Sequence, residues 1–266
     1  MTENTEYRRI IAEKLQKPVP LTVYDSVGST NDLIRAAAEQ GAPAGTVIAA
    51  REQTAGRGRQ GRRFFSPPGT GLYLSMLLKP QGTPEQILSV TPMAAVAAAQ
   101  AIAHCTGRQA AVKWVNDLLL DGKKICGILA ESQYAGGKPE PDYVILGIGI
   151  NLLEPPGGFP AELREIAGAV YPEDADPEAA FCDLCAALID ALAGQYETLP
   201  QRGYLAEYKA RLCVLNRRIL VCENGTERPA VAIDTDDDLR LLVRYPDGTE
   251  QWRATGEIRI RLTDNS

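Results

Sequence analysis

Residues 113–133, KWVNDLLLDGKKICGILAESQ, and residues 142–152, DYVILGIGINL, decide the fold. In the first stretch two apolar runs flank Asp121-Gly122, a dipeptide that suits a two-residue turn with both central residues at positive φ, so 118–133 reads as a β-hairpin. The second stretch is apolar throughout and reads as a buried strand that ends at a Gly/Pro-rich segment. Upstream, a helix at 5–15 leads to a short strand at Leu21–Tyr24 and a turn at 25–28. Ser29 then stands as the N-cap of a helix that stops at Gly41. Strands at 46–52 and 71–79, a long Ala-rich helix from Pro84 to about Cys105 and a strand at 110–115 complete the approach to the hairpin. Two or three helices follow, up to about Leu212. The expectation is an α/β (α+β) domain over 1–212.

Beyond it, RRILVCE, RPAVAIDT, LRLLVRY, TEQWRA and GEIRIR are five short strand-like runs. They are separated by Asn224-Gly225, by Asp236-Asp237-Asp238 and by Asp247-Gly248, which predicts a small all-β barrel at 213–266.

The 266 residues carry a net charge of -6 and are 45% apolar, enough for a sizeable core but not for general attraction to nucleic acid. Only about 20 residues precede Leu21, too few for a separate helix-turn-helix module, so no DNA partner is expected. Six cysteines without disulfide-framework spacing, and a start, MTENTEYRRI, without an apolar leader, point to a reducing cytoplasm. Cys182 and Cys185 form a CxxC on helical apolar spacing and read as core thiols before they read as a zinc or redox pair. The longest apolar stretch, Met93–Ala103, is short of the ~20 residues that span a bilayer, so no membrane is expected. Exposed strand edges could build a homodimer.

Three constellations could carry chemistry. Gly56-Arg57-Gly58-Arg59-Gln60-Gly61-Arg62-Arg63 combines glycines that free the backbone with arginines that fix positive charge. Five arginines stand against Glu52 alone between 51 and 63, so in an acidic chain this loop reads as an anion clamp or lid; a solvated RG-type segment is the alternative. Lys113-Trp114-Val115-Asn116-Asp117, with Lys123 and Lys124 after the next turn, gathers lysines, an amide and a carboxylate. Plain turn chemistry is its alternative. Gly147-Ile148-Gly149-Ile150-Asn151 places glycines inside a strand, where something flat or another backbone must pack close. Ser29-Thr30-Asn31 serves a helix cap or a site.

Taken together, STN at 29–31, EQTAGRGRQGR at 52–62, KWVNDLLLDGKKICGIL at 113–129 and GIGIN at 147–151 resemble the biotin protein ligase family in order and spacing. The resemblance implies a mixed-sheet, class II synthetase-like catalytic domain with a small C-terminal SH3-like barrel. It implies biotin activation by MgATP to biotinyl-adenylate, then transfer to a lysine of a biotin carboxyl carrier domain of a carboxylase. By the same resemblance, Lys124, Arg59 and Asp117 are catalytic. Ser29, Thr30, Asn31, Gln53, Gly56, Arg57, Arg59, Lys124, Gly127, Gly147 and Ile150 line biotin. Arg59, Arg62, Trp114, Asn116, Lys124 and Asn151 serve ATP, and Asp117 serves Mg or the proton of the acceptor lysine. One departure is Val115, where the family usually has proline, which would preset the turn. The rivals are a lipoate or octanoate ligase or transferase of the same fold, and a non-catalytic biotin sensor.

Overall fold

A computed structural model describes residues 2–79, 87–134, 140–223, 226–254 and 257–260. Seven strands form the large sheet: β1 (Leu21–Tyr24), β2 (Val47–Ala50), β3 (Gly71–Leu78), β4 (Ala111–Lys113), β5 (Asp117–Leu120), β6 (Lys123–Gln133) and β7 (Tyr143–Asn151). Their order is β1-β2-β3-β7-β6-β5-β4. Only β1 and β2 run parallel, because helix α2 (Thr30–Glu39) carries the chain back between them; the other neighbours are antiparallel. The sheet is therefore mixed, as expected. The expected hairpin turns through Asp121 and Gly122, both at positive φ. The expected strand at 110–115 is shorter, since β4 ends at Lys113 and the chain turns through 114–116 with a cis Trp114–Val115 peptide.

The two faces of this sheet are covered differently. Helices α1 (Thr5–Lys14), α3 (Val90–Thr106), α4 (Pro177–Glu197) and α5 (Leu205–Arg211) contribute to the main core on one face, with Leu72, Leu74, Val144, Leu146, Ile148 and Ile150 from the strands. Alanine dominates α3 because that helix touches β5 and β6 on one side and α4 and α5 on others, where bulk would hold them apart. The expected start of this helix at Pro84 lies outside the described residues. α4 is long and apolar enough to cross a membrane by length and composition, yet Phe181, Leu184, Leu188 and Leu192 bury it against its neighbours. Cys182 and Cys185 sit on it as buried core thiols, and burial pushes the Cys182 thiol up to about 11.

On the opposite face α2 packs against the sheet, its Ile34 meeting Ile48, Leu77, Tyr143 and Ile145. The sheet beyond that cluster is left for another use. At its two edges, Glu3 bridges to Tyr24 on β1, and Leu212 bridges to Val112 on β4.

The C-terminal strands β8 (Arg218–Glu223), β9 (Thr226–Thr235), β10 (Leu241–Arg244), β11 (Glu250–Arg253) and β12 (Glu257–Ile260) form a five-stranded antiparallel sheet in the order β11-β10-β9-β8-β12. The expected Asn224-Gly225 turn lies outside the described residues. Val214, Ile219, Val221, Leu241, Val243 and Ile258 make a separate core, and the side chain that completes it is Trp114, which follows β4 of the large sheet. Its indole N–H donates to Leu239 O at 2.8 Å.

Candidate functional site

Alternation along β7 puts Ile148 and Ile150 into the main core, and so Gly147, Gly149 and Asn151 onto the open face. Gly127 of β6 stands directly opposite Gly149. Three glycines thus leave a trough in the side-chain carpet. A Cβ at Gly147 would fall 2.3 Å from Asn31 Oδ1, and Cβ atoms at Gly149 and Gly127 would fall 2.8 and 3.0 Å from the Phe64 ring. Glycine is required there by close approach, not by φ.

Lys124 reaches the same face through a β-bulge. Leu118 pairs with Cys126 and Leu119 with Lys124, so Ile125 is an extra residue in β6. Ile125 and Cys126 both enter the core, together with Ile128. Strict alternation would have sent Lys124 into that core with Cys126 and Ile128; the bulge turns it over. Its ammonium stands 2.6 Å from Asp117 Oδ1, and Lys113 lies 3.8 Å from the other carboxylate oxygen. Asn116 donates to Asp117 Oδ1 and to Ile128 O, which fixes its amide so that Oδ1 accepts from Arg59 Nη1 at 2.9 Å.

At the other end of the trough, Ser29, Thr30 and Asn31 are almost fully buried. Ser29 holds the expected cap position, but its side chain makes no capping bond. Gln53 acts instead: its Oε1 accepts from the Thr30 N–H at 2.9 Å and from the Thr30 hydroxyl at 3.1 Å. Ser75 lies 2.7 Å from the Thr30 hydroxyl and donates to Asn31 Oδ1 at 2.6 Å, while Asn31 Nδ2 donates to Glu131 at 2.6 Å.

The arginine segment has more structure than a loop without periodicity suggests. Arg57 bridges to Arg63, the Gly58 N–H donates to Arg62 O, and Gln60 and Gly61 turn at positive φ, making a tight hairpin over the trough. Phe64, just past it, lies on the glycines with its ring edge-on to Tyr73 and 5.9 Å below the Lys124 ammonium. The remaining cavity is about 60 Å³. Small-molecule sites hold roughly 300 Å³ or more, so the cavity is small while the Phe64 ring lies on the glycines.

The structure brings together Ser29, Thr30, Asn31, Gln53, Arg57, Arg59, Asn116, Lys124, Gly127 and Gly147 around this cavity. The other expected residues stand outside this lining or in other roles. The Ile150 side chain is on the core face, because one residue of offset reverses a strand's direction. Trp114 is buried in the C-terminal core with its N–H spent. Asn151 donates to Gly168 O at 3.0 Å and Lys124 O at 3.5 Å, bracing the segment beside Lys124. Gly56 is buried under the hairpin, where a Cβ would strike Ser66 and the Phe64 carbonyl, and Arg62 is on the hairpin's exposed side. Asp117 is neutralised by two ammonium groups, and among the described residues no group of three His, Cys, Asp or Glu could hold a metal ion, so the residues do not fit a resident magnesium. Sequence reasoning missed Phe64, Ser75 and Glu131. Ser75 had a signal, as a polar residue interrupting an apolar strand.

Residues 23–151 match the Biotin/lipoate A/B protein ligase family. Against the bifunctional ligase/repressor BirA of Bacillus subtilis (strain 168) the chain is 41% identical over 147 residues, 55% of this chain; the match spans 45% of that relative, less than half its length. Against the biotin–[acetyl-CoA-carboxylase] ligase of Paracoccus denitrificans it is 33% identical over 214 residues, covering 76% of this chain and 85% of the relative. In fold, the chain resembles the biotin protein ligase from Aquifex aeolicus solved with biotin and ATP, with a TM-score of 0.72, 23% identity and coverage of 91% and 98% of the two chains.

Proposed function

This chain belongs to the biotin protein ligase family, and from that premise we propose that it is an ATP-dependent ligase that forms biotinyl-5′-AMP and passes biotin to a lysine of a biotin carboxyl carrier domain. The observation that carries this reading is the order of groups along the trough. Hydrogen-bonding side chains (Ser29, Thr30, Gln53) stand at one end, a glycine floor lies in the middle, and the Lys124 ammonium stands at the other end. Biotin has the same order: a ureido head, an apolar bicycle and chain, and a carboxylate.

In the first step a biotin carboxylate oxygen attacks the α-phosphorus of ATP, and the bond to pyrophosphate breaks. Two anions must meet, and unit charges 4 Å apart repel by about 4 kcal/mol at an effective dielectric near 20. Lys124 leaves Asp117 to lie between carboxylate and α-phosphate, and Arg59, steered by Asn116, supplies the second cation. The arginine hairpin covers the mixed anhydride from water. In the second step the carrier amine attacks the acyl carbon and AMP leaves; Asp117, released by Lys124, takes the amine's proton. Magnesium would arrive with the triphosphate, as it commonly does at nucleotide sites.

A lipoate ligase of the same fold is disfavoured by the head end of the trough. A dithiolane offers nothing to pair with buried polar groups, and unpaired polar groups are costly. The test is the intact mass of an apo carrier domain incubated with this protein, MgATP and either biotin or lipoate. An ATP-dependent biotinyl increment is expected. A lipoyl increment alone would reassign the substrate, and no increment from either would leave a biotin sensor.

A further inference from the structure

Arg57 opens the arginine hairpin, and its guanidinium lies between two carboxylates of the scaffold. It contacts Asp32 of α2 and stands 3.7 Å from Glu131 Oε1 of β6. Arg35 joins the same two carboxylates from the other side, at 2.9 Å to Asp32 and 3.3 Å to Glu131. Two cations and two anions thus alternate in a closed, neutral ring. Glu131 does a second thing: its Oε2 accepts the Asn31 amide at 2.6 Å, and Asn31 stands against Gly147 at the head end of the trough. One carboxylate therefore contacts both the arginine hairpin and the head end of the trough beneath it.

We propose that Glu131 is a positioning residue that latches the arginine hairpin shut through Arg57 and registers it on the head-group end of the trough. It touches none of the reacting atoms. The inference rests on the ligase reading for its consequence, which is retention of the adenylate, but not for its geometry. Glu131 is the less exposed of the two carboxylates, 28% against 54% for the Asp32 side chain, so its hold on Arg57 is screened less. Arg57 has five N–H donors and also lines the cavity, so it can serve this anchor without leaving the site.

Glu131→Gln separates the two duties, since an amide oxygen can still accept from Asn31 while the charge is gone. Release of biotinyl-adenylate from the protein in a chase is expected to quicken about fivefold, the size of effect a part-exposed ion pair supports. Adding salt should quicken release from the unaltered protein more than from Glu131→Gln, a difference that a packing role would not produce. Asp32→Asn is the second variant should the first fail to fold, with a smaller effect in the same direction. Equal release and equal salt dependence in both proteins would overturn the latch. If the unaltered protein makes no adenylate, the ligase reading fails by itself. Hydrogen exchange of backbone amides 54–63 without ligand then decides the latch: faster exchange in Glu131→Gln supports it, and unchanged exchange overturns it.

Discussion

The Lys124 ammonium and the Asp117 carboxylate face each other at 2.6 Å because the Ile125 bulge turns Lys124 out of the core. The pair keeps the cation at the trough's end until an anion of higher charge competes for it. Lys124→Ala is expected to lower adenylate formation by about 10²–10³, the range seen when one preorganised charge-stabilising donor is lost. The fold should survive, because a part-exposed pair contributes about 1 kcal/mol or less. Pyrophosphate release with a parallel thermal melt checks both halves; near-normal turnover would remove Lys124 from its role.

The glycines of the trough should differ in their tolerance of alanine. At Gly147 the new methyl meets Asn31, which Ser75 and Glu131 hold in place, so Gly147→Ala should cost about 1–3 kcal/mol and weaken biotin binding. At Gly149 it meets only the Phe64 ring. Gly149→Ala should therefore cost less, and Phe64→Ala in the same chain should relieve the cost. Urea unfolding of the three proteins shows whether the relief is real, and titration calorimetry reports the affinity.

Trp114 should act on stability and not on ATP. Trp114→Ala removes the indole wedge from the C-terminal core and should cost about 3–5 kcal/mol. Trp114→Phe keeps most of the bulk but leaves Leu239 O without its donor, at about 1–3 kcal/mol. Hydrogen exchange at Val214, Ile219, Leu241 and Val243 should quicken first, with ATP affinity unchanged. A large loss of affinity would return Trp114 to the site.

Alkaline pH should loosen the α1–α4 side of the main core. Burial pushes the Cys182 thiol from an ordinary 9 to about 11, and the neighbouring Tyr7 phenol from 10 to about 12. A raised folded-state value means that stability is complete below the unfolded value and is lost as pH rises through the folded one. Urea midpoints should hold level up to about pH 9 and fall between 9 and 12. In Cys182→Ala the decline between 9 and 11 should shrink; an identical curve would exclude the thiol as its source.

Local chemistry by itself determined much of this protein. The Asp121-Gly122 turn, the apolar run of β7 and the Ala-rich α3 each follow from periodicity or turn preference within a few residues, and those are properties the chain carries wherever it goes. The residue types at the trough were legible too, because buried glycine and clustered arginine are costly unless used. What only the tertiary structure decided is direction and company. A one-residue bulge at Ile125 reversed the side on which Lys124 emerges, and the phase of β7 put Ile150 in the core. Trp114 crossed to a core built 100 residues later, and Glu131 met Asn31 and Arg57 from the far side of the sequence. A strand's face depends on a phase that any single inserted residue inverts, and a contact across a hundred residues depends on every turn between, so neither is written in a local pattern.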